Sequence, residues 1–379
     1  MKNYLYDYLI VGAGFTGATI ANILHNTGKK VYVIDKRAWL AGQAFTRKIE
    51  GIIVHEFGPH IFHTSDEEVW KYVNKFGQFN NYMHQPMVVA EDKNIYNLPF
   101  NMNLFSRIFG VNSPYEVKCK IGDEISFAGK FYNNESPNNL EEKALYTVGP
   151  TIYKLFIKNY TEKQWLRPAY RLPSEIISRI PLRFTYDNNY FNDTFQGIPV
   201  EGYTSIVKNM LKDIKCDLHT NYLKDKAYFD GIAKTVIYTG AIDEFYQYEY
   251  GELEYISRRF DLNVYESCNN MLGASVINYA NSDVDYIRKT EHKHFDKYNT
   301  SNATVITTEY SKKFNRLQYS DRCYPVPINS NIHIYNKYAS MPNDKVIFAG
   351  RLGEYKYYDM DKAIRNAMNL AHKIINEGE

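Results

Sequence analysis

Cysteine is scarce in this 379-residue chain: the four present, Cys119, Cys216, Cys268 and Cys323, are scattered and form no Cys-x-x-Cys pair. That spacing argues against a disulfide framework or a zinc knuckle, so four free thiols are expected. An excess of one charge is also lacking, since 45 Lys and Arg stand against 43 Asp and Glu, a formal net charge of +2. Such a balance holds neither nucleic acid nor a membrane surface; any anion site must be local, and the expected partner is a small molecule. No apolar run reaches the roughly 18 residues that a membrane span needs. The apolar stretch near the start is short, is broken by Asp7 and carries no signal-peptide cleavage pattern, so a cytoplasmic location without membrane insertion is expected. Tryptophan is rare, at 3, beside 35 Tyr and 21 Phe. The tyrosines can line a pocket that stacks on a ring, or reflect a coding bias that also raises Asn, Lys and Ile. Composition does not locate them, so only tyrosines inside motifs count.

What is present concentrates at a glycine-rich turn. Residues Tyr6 to Gly17 read YDYLIVGAGFTG: an apolar strand, a turn and the start of a helix expected from about Thr16 to Asn26. Gly12 permits the tight turn, Gly14 lets the backbone approach a pyrophosphate, and Gly17 lets the helix pack closely on the strand, its first N–H groups facing the anion. A second strand over 30–34 ends at Asp35, at the spacing where a carboxylate accepts hydrogen bonds from an adenosine ribose. Segments 234–240 and 344–350 repeat the strand-then-glycine form, ending at Gly240 and Gly350, and a helix-like run follows from Met360 to Ile375. Three distant pieces can therefore lie side by side in one parallel sheet.

At this length two or three domains are expected. The reading is an α/β chain with a discontinuous, Rossmann-like nucleotide-binding domain over 1–80, 203–245 and 340–379. A helical part is expected over 100–180, where Leu140, Ala144, Leu145, Val148, Ile152, Leu155 and Phe156 fall at helical spacing after a polar lead-in. An antiparallel sheet part is expected over 81–99, 181–202 and 246–339, with short alternating runs at 183–186, 275–279, 304–309 and 332–335.

After Asp35, the run from Lys36 to Thr46 (KRAWLAGQAFT) resembles the second motif of flavoproteins with a glutathione-reductase-like FAD fold, which favours FAD over NAD. Ala41 replaces the first glycine of that motif's pair and Gly42 keeps the second. His60 and His63, in FGPHIFHT at 57–64, have HxxH spacing. No Cys or carboxylate cluster completes a metal site there, and Gly58-Pro59 makes a turn, so no metal is expected. The segment is then a loop beside the flavin, or carries core or surface histidines.

In order, FGPHIFHT, NLPFNM at 97–102, YTEKQW at 160–165, IPLRFTY at 180–186, NYFND at 189–193, QGIP at 196–199, EHKHF at 291–295, and GRL with YKYYDM between 350 and 360 resemble the bacterial UDP-galactopyranose mutases over nearly the whole chain. The resemblance implies a reduced-FAD-dependent isomerase interconverting pyranose and furanose forms of a nucleotide-diphosphate sugar. UDP-galactose stands first as substrate, and the flavin N5 acts as nucleophile at the anomeric carbon. It also implies a homodimer, with NAD(P)H as a candidate external reductant. Arg179 and Arg288 are implied to hold the diphosphate, Arg351 to sit near flavin and substrate, and His63 to act beside the flavin. Tyr160, with Phe156 one helical turn earlier, is implied to stack on uracil, and Trp165 to lie on a mobile loop near 165–173. Tyr190, Tyr324 and Tyr357 are implied to bond the diphosphate, with Thr161, Asn278, His84 and Asp359 completing the substrate set. Cofactor contacts are implied for Gly12, Gly14, Phe15, Gly17, Asp35, Lys36, Gly42 and Gln43. They extend to His60, Ile61, Gly240, Gly350, Arg351, Tyr358, Asp359 and Met360. Read without the family, Arg179 is a solvated helix residue, Arg288 an exposed strand charge, Tyr160 and Phe156 core aromatics, and Asp359 an N-cap.

Two departures from the family stand out. Leu166 takes the place of a usual glycine directly after the tryptophan, and His84 that of an asparagine facing the sugar. The changed sugar contact keeps dTDP-fucose and UDP-N-acetylgalactosamine open as substrates. From other classes, an FAD-dependent oxidase or dehydrogenase and an inactive nucleotide-sugar binding protein also stay open.

Overall fold

A computed structural model describes residues 4–129, 137–179, 182–318 and 321–377, with backbone alone for Ser178 and Arg179. Five parallel strands form the first sheet, in the order Val346–Phe348, Ala233–Tyr238, Tyr6–Val11, Val31–Ile34 and Lys215–Asp217. The three distant strand-then-glycine pieces are therefore neighbours, with Leu9 opposite Val236 and Ile10 opposite both Ile237 and Val33. Leu9 and Ile10 are both fully buried, on opposite faces, which is why the end of this strand, Tyr8 to Val11, reads as a continuous apolar run. Each such side chain contributes about 1.5–3 kcal/mol through burial. Helix Phe15–Asn26 and the C-terminal helix Met360–Glu377 cover one face, through Ala18, Ala21, Ile364, Ala367 and Ala371. Tyr222, Phe229 and Phe245 cover the other.

A second sheet has seven strands, in the order Tyr324–Pro325, Tyr255–Tyr265, Thr304–Lys313, Arg288–Glu291, Val276–Tyr279, Met87–Val89 and Ile95–Asn97. It is antiparallel except where Val276–Tyr279 runs parallel to Met87–Val89. Two expected strands are corrected. Residues 183–186 form no strand: Arg183 N donates to Phe100 O at 2.8 Å and its guanidinium is spent on Tyr190 O and the neighbouring loop. Residues 332–335 lie in helix Asn329–Ala339, where Asn331 and Tyr338 are the buried positions and the apparent alternation is incidental.

Between the sheets lies the helical part. Asn139 caps helix Leu140–Ile152 by accepting from Glu142 N at 3.0 Å. Gly149, at φ 79°, kinks it just before Pro150, and the Glu124 carboxylate takes the Thr151 N–H at 2.9 Å. A single π-helical turn, Tyr153–Ile157, then leads into helix Lys158–Trp165, so the chain re-aims itself immediately before Tyr160.

Candidate active site

One continuous cleft of about 2290 Å³ runs from the glycine turn, across the ends of the parallel strands, to the helical part and the second sheet. Pockets for a single small ligand run to roughly 300–1,000 Å³, so the space suits two large ligands together.

At one end Gly12 is at φ 116° with Thr239 against it; a Cβ there would lie 2.0 Å from Thr239 Oγ1. A Cβ on Gly17 would lie 1.9 Å from Gly12 O, which ties the helix to the strand at van der Waals limits. Gly14 and Gly42 face each other, a Gly42 Cβ falling 3.5 Å from Gly14 Cα, so side chains on this pair would fill the cradle between them. Asp35 accepts from Ala13 N and Arg37 N, both at 2.8 Å, and a carboxylate with about four acceptor sites keeps capacity for ribose hydroxyls. Ala41 adopts the left-handed φ of 70°, donating its N–H to Ala13 O at 2.9 Å, so the turn keeps the path of the missing glycine. These groups fit FAD: a bare backbone cradle for a pyrophosphate, a carboxylate for the ribose, and beyond them an opening towards Gly240, Gly350 and His60. FAD is the cofactor.

Further along, Gly350 is at φ 75° and Arg351 donates to Gln43 Oε1, while Gln43 Nε2 donates to Arg322 O at 2.9 Å. Phe15 and Ile61 are buried walls; Lys36 pairs with Glu244 at 3.4 Å near the rim. Tyr358 donates to Glu354, and Asp359 and Met360 lead into the C-terminal helix, Ala363 N donating to Asp359 O at 2.9 Å. His60 hydrogen-bonds through Nδ1 to Gly58 O at 2.8 Å, so the proton sits on that nitrogen. Burial, the largest influence, pushes its pKa down to about 4, keeping the ring neutral. His63 stacks on Phe191 at 3.7 Å and bonds through Nδ1 to Asp193 Oδ2 at 2.7 Å. His84 is buried between Tyr190 and Phe191, with Nδ1 at 3.1 Å from Tyr82 Oη. Burial, then the Arg288 and His63 charges, pushes it down to about 3.

The polar centre is built around Arg288. Its Nη2 donates to Tyr160 Oη at 2.9 Å, Nε to Asn278 Oδ1 at 3.0 Å, and Nη1 lies 3.4 Å from Glu309 Oε2. Helix and second sheet thus meet at one guanidinium, far from the exposed strand charge that Arg288 would otherwise be. Glu309 is 3% exposed and also pairs with Arg258 at 2.9 Å. Sequence reasoning missed both: Glu309 ends the alternating run 304–309 as a lone acid that reads as its solvent side, and Arg258 lies in a charged run (SRRFD) that reads as a solvated face. Tyr324 and Tyr357 stack at 5.7 Å, with the Arg258 guanidinium 4.7 Å from the Tyr324 ring. Tyr190, raised to about 12 by burial, remains a neutral donor. Phe156, Thr161 and Trp165 are buried walls of the same cleft. Leu166 follows Trp165 at φ 54°, ψ 37°, a left-handed residue where the family has glycine. Arg179 ends the 3-10 turn Ser174–Arg179, and its side chain lies outside the described residues. All four cysteines are free, and among the described residues no helix is long and apolar enough to cross a membrane.

A family model described as UDP-galactopyranose mutase matches residues 155–357, and one described as an NAD(P)-binding Rossmann-like domain matches 10–76. A dTDP-fucopyranose mutase of Escherichia coli is 36% identical, over 98% of this chain and 99% of its own. A probable UDP-galactopyranose mutase of Klebsiella pneumoniae is 34% identical, over 98% of this chain and 95% of its own. Among solved structures, a reduced UDP-galactopyranose mutase is similar at TM-score 0.74 and 14% identity, covering 98% of this chain and 96% of that one. A putrescine oxidase is similar at 0.60 and 12%, over 98% and 99%, and both likenesses concern the fold. With a matching family model over more than half its length and relatives aligned from end to end, the chain belongs to the UDP-galactopyranose mutase family of nucleotide-sugar mutases.

Proposed function

We propose that this enzyme interconverts the pyranose and furanose forms of a pyrimidine-nucleotide sugar, UDP-galactose foremost, with the sugar held between the flavin end of the cleft and Arg288. The observation that carries the reading is the Arg288 centre. A partly buried guanidinium, fixed by Tyr160, Asn278 and the buried Glu309, opens into the same cleft as the cofactor cradle.

When bound and reduced, FAD supplies an electron-rich ring nitrogen, N5, able to act as nucleophile at the anomeric carbon. The chain's own residues do the rest. Arg288 binds the diphosphate and stabilises its charge as the bond to the sugar breaks; such charge-assisted contacts are worth about 1.5–3 kcal/mol each. Tyr190, Tyr324 and Tyr357 donate to the same oxygens, and Arg179 is proposed to join them from the end of its turn. Tyr160 and Phe156 hold the base. Trp165 and the neighbouring apolar walls exclude water while the nucleotide is detached from the sugar. His63, oriented by Asp193, and the neutral His84 face the sugar end and set which hydroxyls are accepted. NAD(P)H as external reductant and a cytoplasmic homodimer belong to the same reading.

One observation favours a second substrate. The E. coli relative named dTDP-fucopyranose mutase is aligned over 98% of this chain, and His84 alters the sugar-facing set. The test is anaerobic incubation of dithionite-reduced protein with UDP-galactose, UDP-N-acetylgalactosamine and dTDP-fucose, with oxidised controls, resolving pyranose from furanose by anion exchange. Furanose is expected only in reduced samples, and the fastest substrate names the sugar. No conversion of any of the three would overturn the assignment.

A further inference from the structure

The helix Lys158–Trp165 presents Tyr160, Thr161 and Gln164 to the cleft, while Asn159 and Lys163, one turn apart, lie on its other side and do not line the cleft. Lys163 Nζ donates to three backbone carbonyls at once: Asn281 at 2.8 Å, Val284 at 3.1 Å and Tyr286 at 3.2 Å. All three belong to the connection between strands Val276–Tyr279 and Arg288–Glu291, the strands that carry Asn278 and Arg288. Asn159 adds a second tie to the same connection through Glu91, which accepts from Asn159 Nδ2, Ser282 N and Ser282 Oγ at 2.7–2.8 Å.

A mutase centre that depends on Tyr160 Oη meeting Arg288 Nη2 at 2.9 Å needs the helix and the hairpin held at a fixed separation. An ammonium has three N–H donors, and here all three are used. We propose that Lys163 is a positioning residue: a cationic pin that sets the distance between the base-holding helix and the Arg288 hairpin, and so controls capture of the pyrimidine nucleoside diphosphate without touching it. The inference rests on the nucleotide-sugar reading of the cleft.

The pin carries its own pH dependence. Burial lowers the Lys163 pKa to about 8, with Glu91 and Asp285 holding it up. Other charged groups at this connection are Asp283, paired with Lys93 at 2.8 Å, Lys289, whose ammonium lies 4.9 Å from the Tyr286 ring, and Arg288 at the start of the following strand. Below pH 8 the ammonium serves all three carbonyls. Above it the amine has two donors left, and its lone pair confronts the third oxygen. Capture should therefore weaken as pH rises through about 8, a range in which the nucleotide is already ionised, since phosphates of this kind titrate near pH 6.

The test is calorimetric binding of UDP, and separately of dTDP, to the FAD-loaded holoenzyme between pH 6.5 and 8.8, below the range in which the N3–H of uracil or thymine ionises. Wild type is expected to weaken several-fold with a midpoint near pH 8. Lys163→Met is expected to bind roughly tenfold more weakly at pH 7, equivalent to 1.4 kcal/mol, and to show no pH dependence. Asn159→Ala should weaken binding yet keep the midpoint. Lys163→Met binding as tightly as wild type at pH 7, or falling in parallel with it, would overturn the pin. Wild-type affinity that is flat across the range would overturn the pH dependence, and if Lys163→Met fails to fold, Asn159→Ala binding as tightly as wild type would overturn the tie between helix and hairpin. A wild-type holoenzyme that binds neither nucleotide at pH 7 overturns instead the reading of the cleft on which the pin rests.

Discussion

Glu309 is the side chain on which the polar centre turns, because its two oxygens serve two guanidiniums, Arg258 and Arg288, and it stands 3.3 Å from where a Gly58 Cβ would be. Gly58 is at φ 91°, so both backbone and space demand glycine there. Removing one member of a buried ion pair costs about 3–5 kcal/mol, since the remaining charge is left uncompensated. Glu309→Gln should accordingly lower unfolding stability by about 3 kcal/mol in chemical denaturation; a loss under about 1 kcal/mol would mean the arginines do not share this carboxylate. At this scale the motif residues could be read from the sequence because turns and strand ends announce themselves through glycine. Glu309 and Arg258 could not, because burial of a charge depends on a partner that is distant along the chain. Ala41 and Leu166 teach the complementary lesson. Each stands where the resemblance expects glycine, and each nevertheless takes the left-handed backbone, at φ 70° and 54°. The path is kept at a cost of about 1–2 kcal/mol per residue.

Among the elements, the strand, glycine turn and helix at the start form the tightest junction. A methyl group on Gly17 would sit 1.9 Å from Gly12 O and 3.1 Å from Ile10 Cγ2. Gly17→Ala must push the helix off its strand, and overpacking of this kind costs about 1–3 kcal/mol. The variant is expected to purify with little flavin absorbance while keeping its far-UV circular dichroism; full flavin content would show that the helix can shift without opening the cradle. Four of the five parallel strands could be read from the sequence, because each carries a short apolar stretch covered on both faces; the edge strand Lys215–Asp217 could not, since Lys215 and Asp217 are exposed and nothing apolar marks it. Strand Tyr255–Tyr265 was not, since its Arg258, Arg259 and Asp261 conceal the alternation. Helix Asn329–Ala339 was misread for the opposite reason, four residues being too few to tell a period of two from 3.6.

For the whole molecule, the cleft joins three regions of the chain, so a ligand that fills it should stabilise all of them together. FAD at 100 times its Kd adds about 2.7 kcal/mol, which for a chain of this length raises Tm by roughly 3 °C. Differential scanning calorimetry of apoprotein and reconstituted protein checks this; an unchanged Tm would detach the cradle from the stability of the fold.

The order of strands in the parallel sheet has a consequence for synthesis. Tyr6–Val11, which carries the turn for the pyrophosphate, is covered on one edge only when Ala233–Tyr238 has been translated, and the sheet is complete only with Val346–Phe348. At ribosomal speeds of about 5–20 residues per second, tens of seconds separate the first strand from the last. The nascent chain must hold that apolar edge open until Ala233–Tyr238 emerges, and the cleft, whose lining includes Gly350 and Arg351, is whole only after nearly all of its lining residues have left the ribosome.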